Sequence, residues 1–424
     1  MSGKGLVIAA TSSRSGKTTF TMVLARALRN KGHKVRGAKS GPDYIDPAFH
    51  AVASGSPCVN LDAWAMSDDR LSSLVGGEGL VLVEGAMGLF DGATDGTGSS
   101  ADLAKKLRLP VILAIDCASM SQSVAALVSG FISHDPELEI AGIVLNRVGS
   151  DRHEAILREA LSTIMTPILG VIRRSDDLKR ASRHLGLVQA SEDPELDRFL
   201  DTAAKSLAST LDIEIISGLA APLPAPQNSK KLPPLGIHIA IAKDEAFTFI
   251  YPHLLKDWQD QGVALSFFSP LADQTPSESA DAIYLPGGYP ELHAQRITRA
   301  GSFRAAMRRA AQNNTTIYGE CGGYMVLGNS LTDARDIPFP MLGLLDLDTS
   351  FSKRKLQLGY RNLSATKGPL KGRFKAHEFH YATILRQNGT PLFEATDATG
   401  CINTQMGLVS GSVSGSFAHI IDRA

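Results

Sequence analysis

The chain is short of cysteine, carries no surplus of charge of either sign, and has no apolar run long enough to cross a bilayer. Its four cysteines, Cys58, Cys117, Cys321 and Cys401, stand far apart with no CxxC pair. That excludes a disulfide-stapled scaffold and argues against a thiolate zinc site, and it fits a reducing compartment. Lys and Arg together number 43, as do Asp and Glu, so no basic field points to nucleic acid or to an anionic membrane. The apolar stretch Leu6 to Ala10 is too short for a signal-peptide core, and Glu84 interrupts the run from Leu80 to Phe90. A cytoplasmic protein with neither nucleic acid nor membrane as partner is expected. What is present is ordinary globular material: 424 residues, 43% hydrophobic and 20% charged, enough for two or three domains.

The first half alternates apolar runs with helical patterns. Gly5 to Ala10 reads as a strand, Phe20 to Arg29 as a helix, and between them lies Thr11-Ser12-Ser13-Arg14-Ser15-Gly16-Lys17-Thr18-Thr19. Main-chain N–H groups of such a loop wrap a polyphosphate, with Lys17 reaching the β and γ oxygens and Thr18 offering its hydroxyl to Mg²⁺. Thr11 stands where the first glycine of GxxxxGK[ST] usually falls. The ATP-binding candidates are therefore Ser13, Arg14, Ser15, Gly16, Lys17, Thr18 and Thr19. A second strand, Lys34 to Lys39, delivers Lys39 toward the same place and opens a Pro-rich loop containing Asp43, Tyr44 and Asp46, for which a capped turn is the plainer reading. A strand over Gly79 to Val83 ends at Glu84, a candidate Mg²⁺ ligand with Thr18 and Asp46, and leads to Asp91, a substrate-loop candidate. Further strands at Pro110 to Ile115, Ile140 to Leu145 and Pro167 to Ile172 complete a parallel α/β pattern. Asn146, at the end of one of them, is a candidate reader of an adenine edge or simply a turn residue. His184 is a substrate candidate, although a packed histidine is the commoner case.

From Leu219 to Pro234 the chain turns Pro-rich and polar, as an interdomain linker does. A second α/β pattern follows, with strands at Gly236 to Ala242, Ala264 to Phe268 and Ala282 to Leu285, and no second phosphate loop. Pro286-Gly287-Gly288-Tyr289-Pro290-Glu291 then offers main-chain N–H groups suited to an oxyanion hole. Thr315 to Leu327 reads as strand, elbow and helix around Gly319-Glu320-Cys321-Gly322-Gly323, the sulfur counterpart of a nucleophile elbow. A thiol at the start of that helix is expected to have a lowered pKa. His293, His377, His380 and His419 all compete to be its base.

Taken together, TSSRSGKTT, KSGPDYIDPAFH, VEGAMGLFDG, RHLGLV, LPGGYPE, GECGGYM, HEFHYAT and SGSFAHI make the chain resemble the a,c-diamide synthase family of cobalamin biosynthesis over essentially its whole length. The first part is similar to dethiobiotin synthetase and the second to class I glutamine amidotransferases. The resemblance implies a two-domain α/β fold. A P-loop amide-synthetase domain spans 1–218, the linker 219–234, and a glutaminase domain 235–424. It implies ATP, L-glutamine and a corrinoid carboxylate, cobyrinic or hydrogenobyrinic acid, as substrates, and leaves a homodimer open. Carboxylate activation as an acyl phosphate would use Lys17, Lys39 and Mg²⁺ on Thr18, Asp46 and Glu84. Asp43, Tyr44 and Asp91 would lie near the macrocycle, Cys321 would attack glutamine with His419 as base, and Gly288 and Gly322 would hold the oxyanion. Ordinary triad glutaminases carry His-x-Glu, whereas Ile420 and Ile421 follow His419 here, so the third triad member is unassigned. Nickel-sirohydrochlorin a,c-diamide synthase and cobyric acid synthase are neighbouring readings. A partitioning-type switch ATPase is a rival from another class, which the cysteine elbow opposes.

Overall fold

The computed structural model describes residues 3–174 and 193–424. The chain divides by internal contacts into two compact parts, Met1–Ser229 and Lys230–Ala424. His184 lies outside the described residues. Among the described residues, no helix is long and apolar enough to cross a membrane.

The first part is a largely parallel sheet. Its strands are β1 (Lys4–Ala10), β2 (Val35–Ser40), β3 (Val59–Leu61), β4 (Leu80–Glu84), β5 (Val111–Asp116), β6 (Ile140–Val148) and β7 (Ile168–Arg173), in the order β3-β2-β4-β1-β5-β6-β7. The sequences of β1, β4 and β5 are near-continuous apolar runs because helices cover both faces of a parallel sheet. The three-residue β3 is too short to show a period, and the sequence reading passes over it. Parallel registers Ile8 to Glu84, Lys39 to Glu84 and Asp116 to Asn146 bring the carboxyl ends of adjacent strands to one edge. Ligands collect at that edge in such folds.

Helices α1 (Lys17–Asn30), α2 (Asp46–Ser54) and α3 (Leu196–Ala208) are tied by Arg26. Its guanidinium donates to the Val52 and Ala53 carbonyls of α2 and to Asp197 and Asp201 of α3. The start of the expected linker is built into this part. There, β8 (Ala221–Pro222) runs antiparallel to β1, pairing Ala221 with Gly5.

The second part has a six-stranded sheet of order β10-β9-β11-β12-β22-β21. Its strands are β9 (His238–Ala242), β10 (Ala264–Phe268), β11 (Ala282–Leu285), β12 (Thr316–Glu320), β21 (Leu408–Ser410) and β22 (Val413–Ser416). Between β12 and β21 the chain forms β13 (Ser330–Thr332), β14 (Pro338–Pro340), β15 (Leu347–Ser350), β16 (Gln357–Ala365), β17 (Gly372–His380), β18 (Thr383–Gln387), β19 (Phe393–Asp397) and β20 (Asn403–Met406), and it ends in β23 (Ala418–Arg423). These make two further sheets, β14-β13-β15-β18 and β20-β19-β16-β17-β23. The last of the Pro-rich stretch belongs here: Leu232 N–H donates to Asp257 and the Trp258 indole donates to the Pro233 carbonyl.

Candidate active site

In the first part, the phosphate loop closes on itself before any ligand is considered. Ser15 Oγ donates to the Ser12 carbonyl at 2.8 Å, and Asn146 Nδ2 donates to the Ser15 carbonyl at 2.7 Å. Asn146 thus uses its amide N–H to hold the loop, while its Oδ1 accepts from Arg147 N. Gly16, at φ 83°, is the N-cap of α1, and no side chain caps that helix. Its first N–H groups and the positive end of the dipole therefore face the loop. Ser13 and Arg14 are exposed, Lys17 and Thr19 are buried, and Thr18 is partly covered. A cavity of about 460 Å³ opens beside the loop, lined among others by Gly16, Phe20, Asn146, Arg147, Arg174 and Phe199.

Lys39 and Glu84 form a buried centre next to the loop, 4% and 0% exposed. Lys39 Nζ lies 2.6 Å from Asp46 Oδ2, 3.2 Å from Glu84 Oε1 and 3.7 Å from Asp43 Oδ2. Thr18 Oγ1 donates to Glu84 Oε1 at 2.5 Å, and His50 Nε2 is 2.5 Å from Glu84 Oε2. Burial alone would neutralise these groups. For Lys39, Glu84, Asp46 and Asp43 overcome it and raise the ammonium's pKa. For Glu84, Lys39 together with hydrogen bonds from His50 and Thr18 hold the carboxyl below the usual range. Asp46 is pushed up to about 6, chiefly by burial, against Lys39. Burial also lowers the pKa of Lys17, with Glu84 opposing it. The sequence reading singled out Thr18, Lys39, Asp46 and Glu84, which come together here, but it missed His50. The available signal was spacing, since Asp46 and His50 are four apart on α2 and share a face.

Asp43 accepts from the N–H groups of Ile45 and Asp46, the capped turn that its sequence context suggests. Tyr44 buries its hydroxyl in the same loop. Asp91 is exposed on the loop after β4, where its carboxylate accepts from Gly88 N at 2.8 Å.

In the second part, Cys321 follows β12 at φ 47°, ψ −101° and caps the six-residue helix Gly322–Leu327. Positive φ in a residue with a side chain is strained, and such strain recurs at nucleophile elbows. Parallel pairing of Glu320 with Ser416 and a bond from Cys321 N to the Ser416 carbonyl (2.8 Å) hold the elbow against β22. Three residues beyond Ser416 comes His419. Its Cε1 edge points at Gly287, where a Cβ would meet that atom at 2.3 Å, so only glycine lets the two approach. A Cβ on Gly322 would be 3.0 Å from Gly288 N. The cysteine elbow, the glycine pair and His419 are therefore neighbours. His380 is committed elsewhere: Nε2 lies 2.9 Å from Glu378, which Arg361 also binds, and Nδ1 3.1 Å from the Ala382 carbonyl. His377 sits directly across the strand pair from His419.

The thiol does not have the lowered pKa expected from the helix start. Burial pushes it up, and Glu291, Glu320 and Glu378 add to the shift against a single helping N–H from Gly322. The helix is too short and the site too dry for the dipole to prevail. Burial, with His377 and His380 nearby, pushes His419 down to about 3, so its imidazole is neutral. Glu291 and Glu320, both missed as site residues, are pushed up to about 7 by burial.

Two family descriptions match the chain: a CobQ/CobB/MinD/ParA nucleotide binding domain over residues 6–188, and a CobB/CobQ-like glutamine amidotransferase domain over residues 238–423. The chain is 53% identical to hydrogenobyrinate a,c-diamide synthase of Brucella anthropi, covering 99% of this chain and 98% of the relative. It is 52% identical to the enzyme of the same name from Rhizobium meliloti, covering 99% of each.

Proposed function

Because the chain belongs to the hydrogenobyrinate a,c-diamide synthase family, we propose that it uses ATP and glutamine to convert the a and c carboxylates of hydrogenobyrinic acid, the metal-free corrinoid, to carboxamides in cobalamin biosynthesis. The observation that carries this reading is a strained cysteine elbow beside a neutral histidine in the same chain as a phosphate loop backed by a buried lysine.

A carboxylate does not condense with ammonia in water until it is activated. The substrate carboxylate attacks the γ-phosphorus of ATP, ADP departs, and an acyl phosphate remains. Lys17 and Lys39 offset the charge of the transferring group, mainly an electrostatic and positioning task. The hard oxygens of Thr18 and Glu84, 2.5 Å apart, suit Mg²⁺, and with Asp46 they would hold it; when bound it neutralises phosphate charge. Asp43, Tyr44 and Asp91 contact the macrocycle, and Asn146 keeps the loop in shape for the nucleotide.

Glutamine supplies the nitrogen. His419 takes the Cys321 proton as sulfur attacks the carboxamide carbon, and the N–H groups of Gly288 and Gly322 receive the oxyanion. His419 returns the proton to the departing ammonia, and water hydrolyses the thioester to glutamate. Ammonia then displaces phosphate from the acyl phosphate. Buried thiols at Cys58, Cys117 and Cys321 suit a cytoplasmic setting.

Mass spectrometry of reactions containing ATP, Mg²⁺, glutamine and either metal-free or cobalt-containing acid tests the reading. Mono- and then diamide should form from hydrogenobyrinic acid. Amidation of the cobalt form alone would remove the metal-free assignment, and amidation of neither would remove the reading.

A further inference from the structure

We propose that Glu320, the residue immediately before the nucleophile, is the positioning acid of the glutaminase, taking the part that His-x-Glu glutaminases assign to a carboxylate two residues beyond the histidine. This rests on the glutamine-dependent reading above. In this chain that later position is Ile421, fully buried. The carboxylate comes instead from the neighbouring element, since Glu320 ends β12 while His419 lies on β23.

The geometry gives each oxygen of Glu320 a separate task. Oε1 accepts from Ile420 N at 3.2 Å and faces the Tyr318 hydroxyl at 3.3 Å, which anchors the carboxyl to the main chain beside His419. Oε2 accepts from the Tyr284 hydroxyl at 2.8 Å and lies 3.8 Å from His419 Nδ1. Glu320 and His419 are 3% and 1% exposed, so little water screens the pair. The separation is longer than a hydrogen bond, as catalytic contacts often are before substrate arrives. When His419 accepts the Cys321 proton it becomes a buried cation, and the carboxylate facing Nδ1 stabilises it and orients the ring. No bond to glutamine is made by Glu320.

Other titratable groups facing this centre are Tyr284 and Tyr318 beside Glu320, with Tyr251 near Tyr284, His377 and His380 around His419, and Glu291 and Glu378 toward Cys321. Among the described residues, none of the groups acting on Glu320 is a lysine or arginine, so its ionised form depends on the two tyrosines and Ile420 N–H. Burial pushes its carboxyl up to about 7. Glutaminase activity should therefore rise through neutral pH as Glu320 ionises.

The test measures glutamine hydrolysis and ammonia-dependent synthesis across pH 5.5–9 in the full-length protein. Glu320→Gln should lower kcat for glutamine on the order of 10²-fold, leave KM within about threefold, lose the limb near neutrality, and retain ammonia-dependent synthesis. Glu320→Asp should recover part of kcat. Tyr284→Phe keeps the carboxylate but removes a donor to its charged form, so its limb should move to higher pH. Unchanged kcat and an unchanged limb in Glu320→Gln would overturn the proposal, as would an unmoved limb in a folded Tyr284→Phe. Absence of glutamine hydrolysis in the unaltered protein would instead overturn the reading on which the proposal rests.

Discussion

At Cys321 the backbone holds the proposed nucleophile at positive φ while burial keeps the thiol protonated. A thiolate then forms only by transfer to an adjacent base. The proposed base, His419, is itself held neutral by burial, which has a consequence for stability. A histidine in the unfolded chain takes a proton near pH 6.5, whereas His419 in the folded chain refuses it until about 3. Its contribution is fully favourable above 6.5 and is lost as pH falls, by up to about 1.4 kcal/mol per pH unit. His419→Asn should therefore lose less stability between pH 8 and pH 5 than the unaltered protein does. Urea unfolding followed by tryptophan fluorescence checks this. The chain has only Trp64 and Trp258, so a Trp64→Phe background reports the second part alone. Equal losses in both proteins would show that His419 is not held neutral.

At the scale of elements, register does most of the placing. Lys39 pairs with Glu84 across β2 and β4, and Glu84 with Ile8 across β4 and β1, so three strand ends deliver the lysine, the carboxylate and the phosphate loop to one edge. The helices behind that edge are fastened by Arg26, 5% exposed, whose planar fork reaches carbonyls of α2 and carboxylates of α3. Its acidic partners are largely solvated, so most of the cost of losing it lies in the Ala53 carbonyl and in that of Val52, which would keep only a 3.4 Å contact from Arg29. Arg26→Ala should destabilise the first part by about 1–3 kcal/mol. Arg26→Lys should recover little of that, because an ammonium cannot span the same four acceptors. Thermal unfolding of the three proteins decides it, and a Lys variant as stable as the parent would show that charge, not the fork, holds the helices.

Across the whole molecule, two chemistries occupy two separately packed parts, and single lesions should divide them. Lys17→Ala should abolish amide formation from glutamine and from ammonia alike, since both need the activated carboxylate. Cys321→Ala should lose glutamine as donor yet make diamide from ammonium at alkaline pH. Steady-state assays with the two nitrogen sources check both. Glutamine-dependent synthesis persisting in Cys321→Ala would remove the nucleophile assignment, and ammonia-dependent synthesis persisting in Lys17→Ala would remove that of the phosphate loop. Much of this plan was legible from the chain itself. The loop, the elbow and the buried strands of the first sheet are local patterns, because glycine freedom, apolar periodicity and turn chemistry act over a few residues. The small sheets between β12 and β21 were not read, since their strands are mostly short and of mixed exposure, which blurs the period-two pattern. Local pattern also misjudged the thiol. A helix start favours thiolate, but only the packed structure shows how dry the site is and which carboxylates surround it. The sequence by itself determined which residues are candidates for the chemistry. The tertiary structure decided their charge states and the neighbours they act through, such as His50 on Glu84 and Glu320 facing His419, because desolvation and the fields of distant residues exist only once the strands are in register.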